Sequence, residues 1–285
     1  MDAPPTSALV DHLIDFFDTV APVYDSWADG LHGRVAERLV DLADPQPGEL
    51  MLDVGTGTGL VAHAAARRLG KSGAVIGIDL SENMLQHARK ATSGPAGKQA
   101  TVTFIGMPAE DLVFRDGTFD LVTHGQTLAY LVHPHRSLEE AHRVLKPGGR
   151  LAISAHRRSL NTEAQEIFFM RLKELARQHY LNVPRHRDDG RGSFGERHFL
   201  PGMLERHGFG QVRLTEMVTG GRAPTPRAWT ELMAGAGPLP HTLLSVLGPR
   251  LRAQFEEDLE REMEQLGEDA FRYHHAFLFA VARRP

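Results

Sequence analysis

A doubly wound, mainly parallel α/β sheet of seven strands, carrying a helical cap made from insertions, is the fold class this sequence predicts. Three observations predict it. Short runs rich in β-branched residues recur and are continuous rather than alternating, as in strands covered on both faces. Segments with helical spacing separate them, an alternation that favours a parallel sheet. After residue 156 this rhythm breaks twice and resumes twice.

The five regular strands are expected at 49–55 (ELMLDVG), 73–80 (GAVIGIDL), 102–107 (VTFIGM), 119–125 (FDLVTHG) and 149–156 (GRLAISAH). Between them TGLVAHAAARRLG reads as a helix closed by Gly70, SENMLQHARKA as one opened by Ser81, and HRSLEEAHRVLKPGG as a third. Residues 161–180 read as one amphipathic helix and 182–198 as an irregular polar loop. The sheet then resumes with a helix over FLPGMLERHG, capped by Gly208, and the strands QVRLTEMV and HAFLFAVAR. Between these strands a helix is expected to start at Thr225 and Pro226, where the fixed φ of proline suits a first turn. The expected organisation is N-terminal helices at 1–48, a binding core at 49–156, and cap insertions at 157–198 and 219–273. Residues 199–218 and 274–285 supply the remaining sheet elements.

Composition narrows the function. The 285 residues, 41% hydrophobic, suffice for one sizeable domain with insertions. A formal charge of −4, without clustered basic and aromatic residues, predicts no nucleic-acid partner. The chain has no cysteine, which excludes disulfides, thiolate metal sites and cysteine nucleophiles. No run approaches the roughly 20 apolar residues that cross a bilayer, and MDAPPTSALVDHLIDFF lacks a basic region leading into an apolar one. The expectation is a cytoplasmic protein without a membrane partner, either monomer or homodimer.

The stretch LDVGTGTGL, residues 52–60, decides the cofactor. A dinucleotide fingerprint needs G-x-G-x-x-G, and counting from Gly55 the sixth position is Leu60. The pattern is instead G-x-G-x-G through Gly55, Gly57 and Gly59. Asp53, two residues earlier, would repel a pyrophosphate and suits a cationic amine. An acid at a strand tip, followed by free N–H groups at a helix start, can take the ammonium and the carboxylate of S-adenosylmethionine. Asp79 ends the second strand, where an acid can accept both hydroxyls of a ribose; that feature alone would serve NAD equally.

LDVGTGTG, GIDLSENML, AEDLVFRDGTFDLV and HRVLKPGGRLAIS together resemble the class I S-adenosylmethionine-dependent methyltransferases, and within them the ubiquinone and menaquinone biosynthesis group. The resemblance spans residues 49–156 and implies a Rossmann-like fold. It also implies that Asp53, Gly55, Thr56, Gly57 and Gly59 line the methionine part, that Asp79 holds the ribose, and that Leu80 and Met84 flank adenine. Met107, Ala109 and Glu110 would meet the adenine edge. One position departs: the family usually has Asp just before AEDL, and this chain has Pro108, which leaves the adenine amino group to Glu110 or a backbone carbonyl. FFDTVAPVYDSW resembles the family's segment over the cofactor and would put Tyr24 at the methionine end, or else pack it as a helix-end aromatic.

Methyl transfer asks mainly for a nucleophile held about 3 Å from the sulfonium methyl in a dry site. A hydroxyl acceptor benefits from a general base. His124, at the carboxyl end of the fourth strand, is the first candidate, or else a cofactor contact or strand cap; His156 and His198 follow. The histidines at 133–135 and 274–275 lack the acids that would complete a metal site, so none is expected. Residues 184–198 could grip an anionic acceptor or simply be solvated. EIFFMRL and AWTELM offer apolar surface for an aromatic, quinone, polyketide or prenyl-like small molecule, or pack the cap. The expected activity is methyl transfer to oxygen or carbon, with S-adenosylhomocysteine as product. The alternatives are a binding protein or cyclase that uses the cofactor without transfer, and an NAD-dependent oxidoreductase.

Overall fold

A computed structural model describes residues 6–91, 99–157, 162–178, 194–235, 238–245 and 247–285. Seven strands form one sheet in the order β3-β2-β1-β4-β5-β7-β6. They are β1 (Leu50–Val54), β2 (Ala74–Asp79), β3 (Thr101–Gly106), β4 (Phe119–Gly125), β5 (Leu145–Arg157), β6 (Gly210–Arg222) and β7 (Arg272–Arg283). The first five pair in parallel. β1 and β4 are buried almost throughout, whereas β3 and β6, at the two ends of the order, alternate or expose their residues. This is why the central strands read as mostly continuous rather than alternating runs.

The helices are α1 (Thr6–Val20), α2 (Trp27–Ala43), α3 (Leu60–Leu69), α4 (Glu82–Ala91), α5 (Pro134–Val144), α6 (Glu163–Gln178), α7 (Phe199–Arg206), α8 (Pro226–Ala234), α9 (Pro238–Ser245) and α10 (Pro249–Met263). Their ends follow local chemistry. Ser81 Oγ accepts the Met84 N–H at 3.1 Å and Thr225 Oγ1 the Ala228 N–H at 3.1 Å, each filling one of the donors a helix start leaves open. β5 begins at 145 rather than 149, because LKPGG stays in the strand through a register shift opposite Phe119 and Leu121.

The chain divides into two compact units. The larger takes its described residues from Thr6–Arg157, Asp188–Met217 and Phe277–Pro285, the other from Arg158–Arg187 and Val218–Ala276. The larger unit's core joins Leu52, Val54, Phe119, Val122, Leu151 and Ile153 to Met203 and Leu278. Phe194 is buried in this same core, so the end of the 182–198 segment goes with the sheet rather than with the cap in which the sequence reading placed it. Residues 184–193 of the anion-gripping loop lie outside the described residues.

In the second unit Phe168, Leu172, Trp229 and Met233 sink into a core of its own with Phe255, Leu259 and Met263. The apolar residues of EIFFMRL and AWTELM thus pack largely inward, and the surface expected from them is mostly spent; Met170, 56% exposed, is an exception. Among the described residues no helix is long and apolar enough to cross a membrane.

Candidate active site

The strand order reverses between β1 and β4, and open α/β sheets bind ligands at the carboxyl edge of such a switch point. Two adjoining cavities lie there. The larger, about 440 Å³, is lined by the turn after β1, the ends of β2 and β3, the segment after β4, and α1. The smaller, about 50 Å³, lies between the β1 turn, α2 and Ser154. Tyr24, Gly55, Gly57, Gly125 and Gln126 line both.

The β1 turn takes its shape from glycine. Gly55 has φ +65°, and a Cβ there would stand 2.4 Å from Cγ2 of Thr127, whose hydroxyl donates to the Val54 carbonyl at 2.9 Å. Gly57 has φ +55° and would meet nothing within 4 Å, so it leaves an open backbone surface facing the cavities. The Gly57 N–H donates to Asp79 Oδ2 at 2.8 Å and the Ser81 N–H to Oδ1 at 2.9 Å. One carboxylate therefore ties the β1 turn to the β2 turn and lines the larger cavity. Burial raises the pKa of Asp79, against these backbone donors and that of Leu80.

Asp53 is placed differently from the direct amine contact expected of it. It is 1% exposed and lines neither cavity. Its carboxylate accepts from Thr56 Oγ1 and Thr123 Oγ1, each at 2.7 Å. Burial pushes its pKa up to about 6, opposed by the two hydroxyls. Asp53 is thus a buttress under the turn, and Thr56 is its partner as well as part of the smaller cavity wall.

At the far end Leu80, Met84, Met107, Pro108, Ala109 and Glu110 all line the larger cavity. Leu80 is 45% exposed there. Glu110 Oε1 accepts the His133 N–H at 3.3 Å, tying this loop to the start of α5. Sequence reasoning missed the individual residues of α1, which contributes Val10, Leu13, Ile14 and Phe17. Asp18 fastens α1 there: its carboxylate accepts the Asn83 N–H at 3.2 Å and bonds Ser81 Oγ.

Also missed were Gln126, Thr127 and Tyr130, which follow β4 directly. The signal that could have found them is the same strand-end rule that selected His124, applied two residues further on. Tyr24 has its hydroxyl pKa pushed far upward by burial first, then by Tyr130, Asp79 and Asp25, so it stays an O–H donor.

None of the three candidate bases lines either of these two cavities. His124 is fully buried, with Nε2 bonded to Ser137 Oγ of α5 at 2.9 Å and Nδ1 meeting no partner among the described residues. Burial lowers its pKa to about 3. The reason is the two-residue period of a strand: Thr123 turns to Asp53, so its neighbour turns to α5. The assignment of His124 as base or cofactor contact is therefore corrected to a core residue. His156 sets its ring edge-on to Phe277 at 5.3 Å, and His198 is an exposed residue just before α7. The structure does not bring these three together.

A family model described as a methyltransferase domain matches residues 52–153, from β1 into β5. The chain is 36% identical over 151 residues to a 2-phytyl-1,4-naphtoquinone methyltransferase of Nostoc sp. (strain PCC 7120), covering 52% of this chain and 66% of that protein. It is 35% identical over 153 residues to the ubiquinone/menaquinone biosynthesis C-methyltransferase UbiE of Hydrogenovibrio crunogenus, covering 52% and 60%. The chain thus spans somewhat less than two thirds of the length of these two relatives. A 2-phytyl-1,4-naphtoquinone methyltransferase of Nostoc punctiforme is 35% identical over 159 residues, covering 54% of this chain and 69% of that protein.

Among solved structures, phosphoethanolamine N-methyltransferase 2 of Haemonchus contortus aligns with a TM-score of 0.55 at 21% identity, over 94% of this chain and 57% of that one. The [4+2]-cyclase SpnF also aligns at 0.55, with 19% identity over 96% and 95%. A transferase and a cyclase match equally well, so these likenesses carry the fold and not the reaction. On the sequence relatives and the domain match, the chain belongs to the class I S-adenosylmethionine-dependent methyltransferases, in the UbiE-type group.

Proposed function

We propose that this protein transfers the methyl group of S-adenosylmethionine to carbon or oxygen of a small apolar or aromatic acceptor of the quinone class. The observation that carries the reading is the cavity at the β1/β4 switch point, where Asp79 joins both turns beside the open Gly57 backbone. The acceptor class is supported by the printed names of the quinone-methylating relatives. The size of the larger cavity falls in the range of about 300–1,000 Å³ usual for small-molecule sites.

Each residue's part follows from its place. Asp79 accepts from the ribose hydroxyls, with its backbone donors opposing the upward push of burial on its pKa. Leu80, Met84, Met107 and Ala109 enclose adenine, with α1 as cover. The start of α3, where Leu60 and Val61 line the smaller cavity, faces the amino-acid end, with the Ala62 N–H already given to Asp53. When bound, the cofactor would supply an electrophilic methyl on its sulfonium, leaving S-adenosylhomocysteine and a proton from the acceptor. Phe17, Tyr24 and Tyr130 wall the larger cavity, Phe17 and Tyr130 edge to face at 5.1 Å, and their bulk serves to exclude water.

A label-transfer assay tests this reading. Cofactor labelled in its methyl group, incubated with a panel of naphthoquinols and phenols, is expected to pass label into at least one acceptor with equimolar S-adenosylhomocysteine. An acceptor that binds and is converted with no label moved would favour the cyclase reading.

A further inference from the structure

The burial of Asp53 leaves the positive end of the cofactor's amino acid without the partner the sequence suggested. His32 is another group that lines this part of the site. It lines the smaller cavity opposite Gly55 to Thr58 and beside Gln126 and Ser154. Its ring lies between two aromatic neighbours, stacked on Tyr24 at 4.0 Å and 24° and on Trp27 at 5.3 Å and 23°.

His32 Nδ1 is 3.1 Å from the Tyr24 carbonyl oxygen. A carbonyl can only accept, so Nδ1 carries the proton and, in the neutral ring, Nε2 carries a lone pair. Burial lowers the pKa of His32, opposed by that carbonyl and by Asp25, and so favours the neutral ring. Several neighbouring groups already spend their donors within the protein. Thr56 Oγ1 donates to Asp53, Thr58 Oγ1 to Asp25 at 2.5 Å, and Gln126 Nε2 to Ser154 Oγ at 3.1 Å.

The backbone supplies a second, independent observation. Ala28, Asp29 and Gly30 all take left-handed φ values, of 49°, 56° and 71°. Such a run is costly for residues with a Cβ and persists where surrounding structure demands it. Here it lies between Trp27 and His32, the span that folds back to close the stack.

We propose that His32 Nε2 accepts a hydrogen bond from the α-ammonium of the cofactor's amino-acid end, which makes His32 a cofactor-binding residue. This rests on the reading under Proposed function and adds to it the group that recognises the amine. The test is calorimetry with two probes: S-adenosylhomocysteine, which carries the amino-acid end, and 5′-methylthioadenosine, which lacks it.

His32→Phe keeps a flat ring in the stack and removes the lone pair. It is expected to weaken S-adenosylhomocysteine about tenfold or more and leave methylthioadenosine within about twofold. His32→Gln, whose amide oxygen can accept, is expected to recover part of the loss. Equal weakening of both probes would reduce His32 to a prop for Tyr24, and unchanged binding of both would remove it from the site; either result overturns the proposal. If the unaltered protein bound neither probe, the cofactor reading itself would fail, a result distinct from any difference between variants.

Discussion

Asp79→Ala is expected to raise the dissociation constant for S-adenosylhomocysteine at least tenfold while leaving the unliganded protein folded. Asp79 lines the cavity and is tied to Gly57 and Ser81 by backbone donors. A hydrogen bond to a charged group is worth about 1.5–3 kcal/mol, and 1.4 kcal/mol is a factor of ten. The substitution removes the acceptor for the ribose and also loosens the link between the two turns, so the loss should exceed that of one hydrogen bond. Calorimetry checks it directly, and unchanged affinity would overturn the ribose assignment.

The second large effect concerns stability. His124→Ala opens a hole in a core position that is fully buried and orphans Ser137 Oγ, which should cost about 2–4 kcal/mol. Cofactor affinity should stay nearly unchanged, because His124 lines neither cavity. The effect also has a pH signature. With a folded pKa near 3 against an unfolded value of 6.5, the unfolded chain binds a proton that the folded chain does not. His124 therefore draws stability down as pH falls through that window, and removing it should flatten the acid limb of a urea-midpoint profile. A variant that binds cofactor far more weakly at full stability would restore His124 to the site.

These two residues show what the chain made legible and what it did not. The parallel sheet was readable because central strands are largely buried and leave mostly continuous apolar runs at 50–54, 74–79 and 119–125. Helix starts were readable where a side chain completes the first turn, as Ser81 and Thr225 do. The turn of Gly55 and Gly57 and the strand-end Asp79 were readable because their chemistry is local.

Side-chain direction at a strand tip was not readable. One residue of register separates a group over the cavity from one under the neighbouring helix, and this moved His124 and Asp53 out of the pocket. That the N-terminal segment through Tyr24 comes to the same edge was implied by the family resemblance alone, and His32 was not part of it. The placement depends on bonds as distant as Asp18 to Asn83 and Asp25 to Thr58, between residues far apart in the chain. The apolar helices at 163–178 and 226–234 were visible as amphipathic, but their buried faces went to a core of their own.

The most direct measurement is isothermal titration of the purified protein with S-adenosylmethionine, S-adenosylhomocysteine and NADH in parallel. Micromolar binding of both adenosyl ligands with none of NADH is the predicted result, because in the proposed reading Asp79 beside the open Gly57 backbone takes a ribose, and Leu60 replaces the last glycine of a dinucleotide fingerprint. Binding of NADH without the adenosyl ligands would contradict the account.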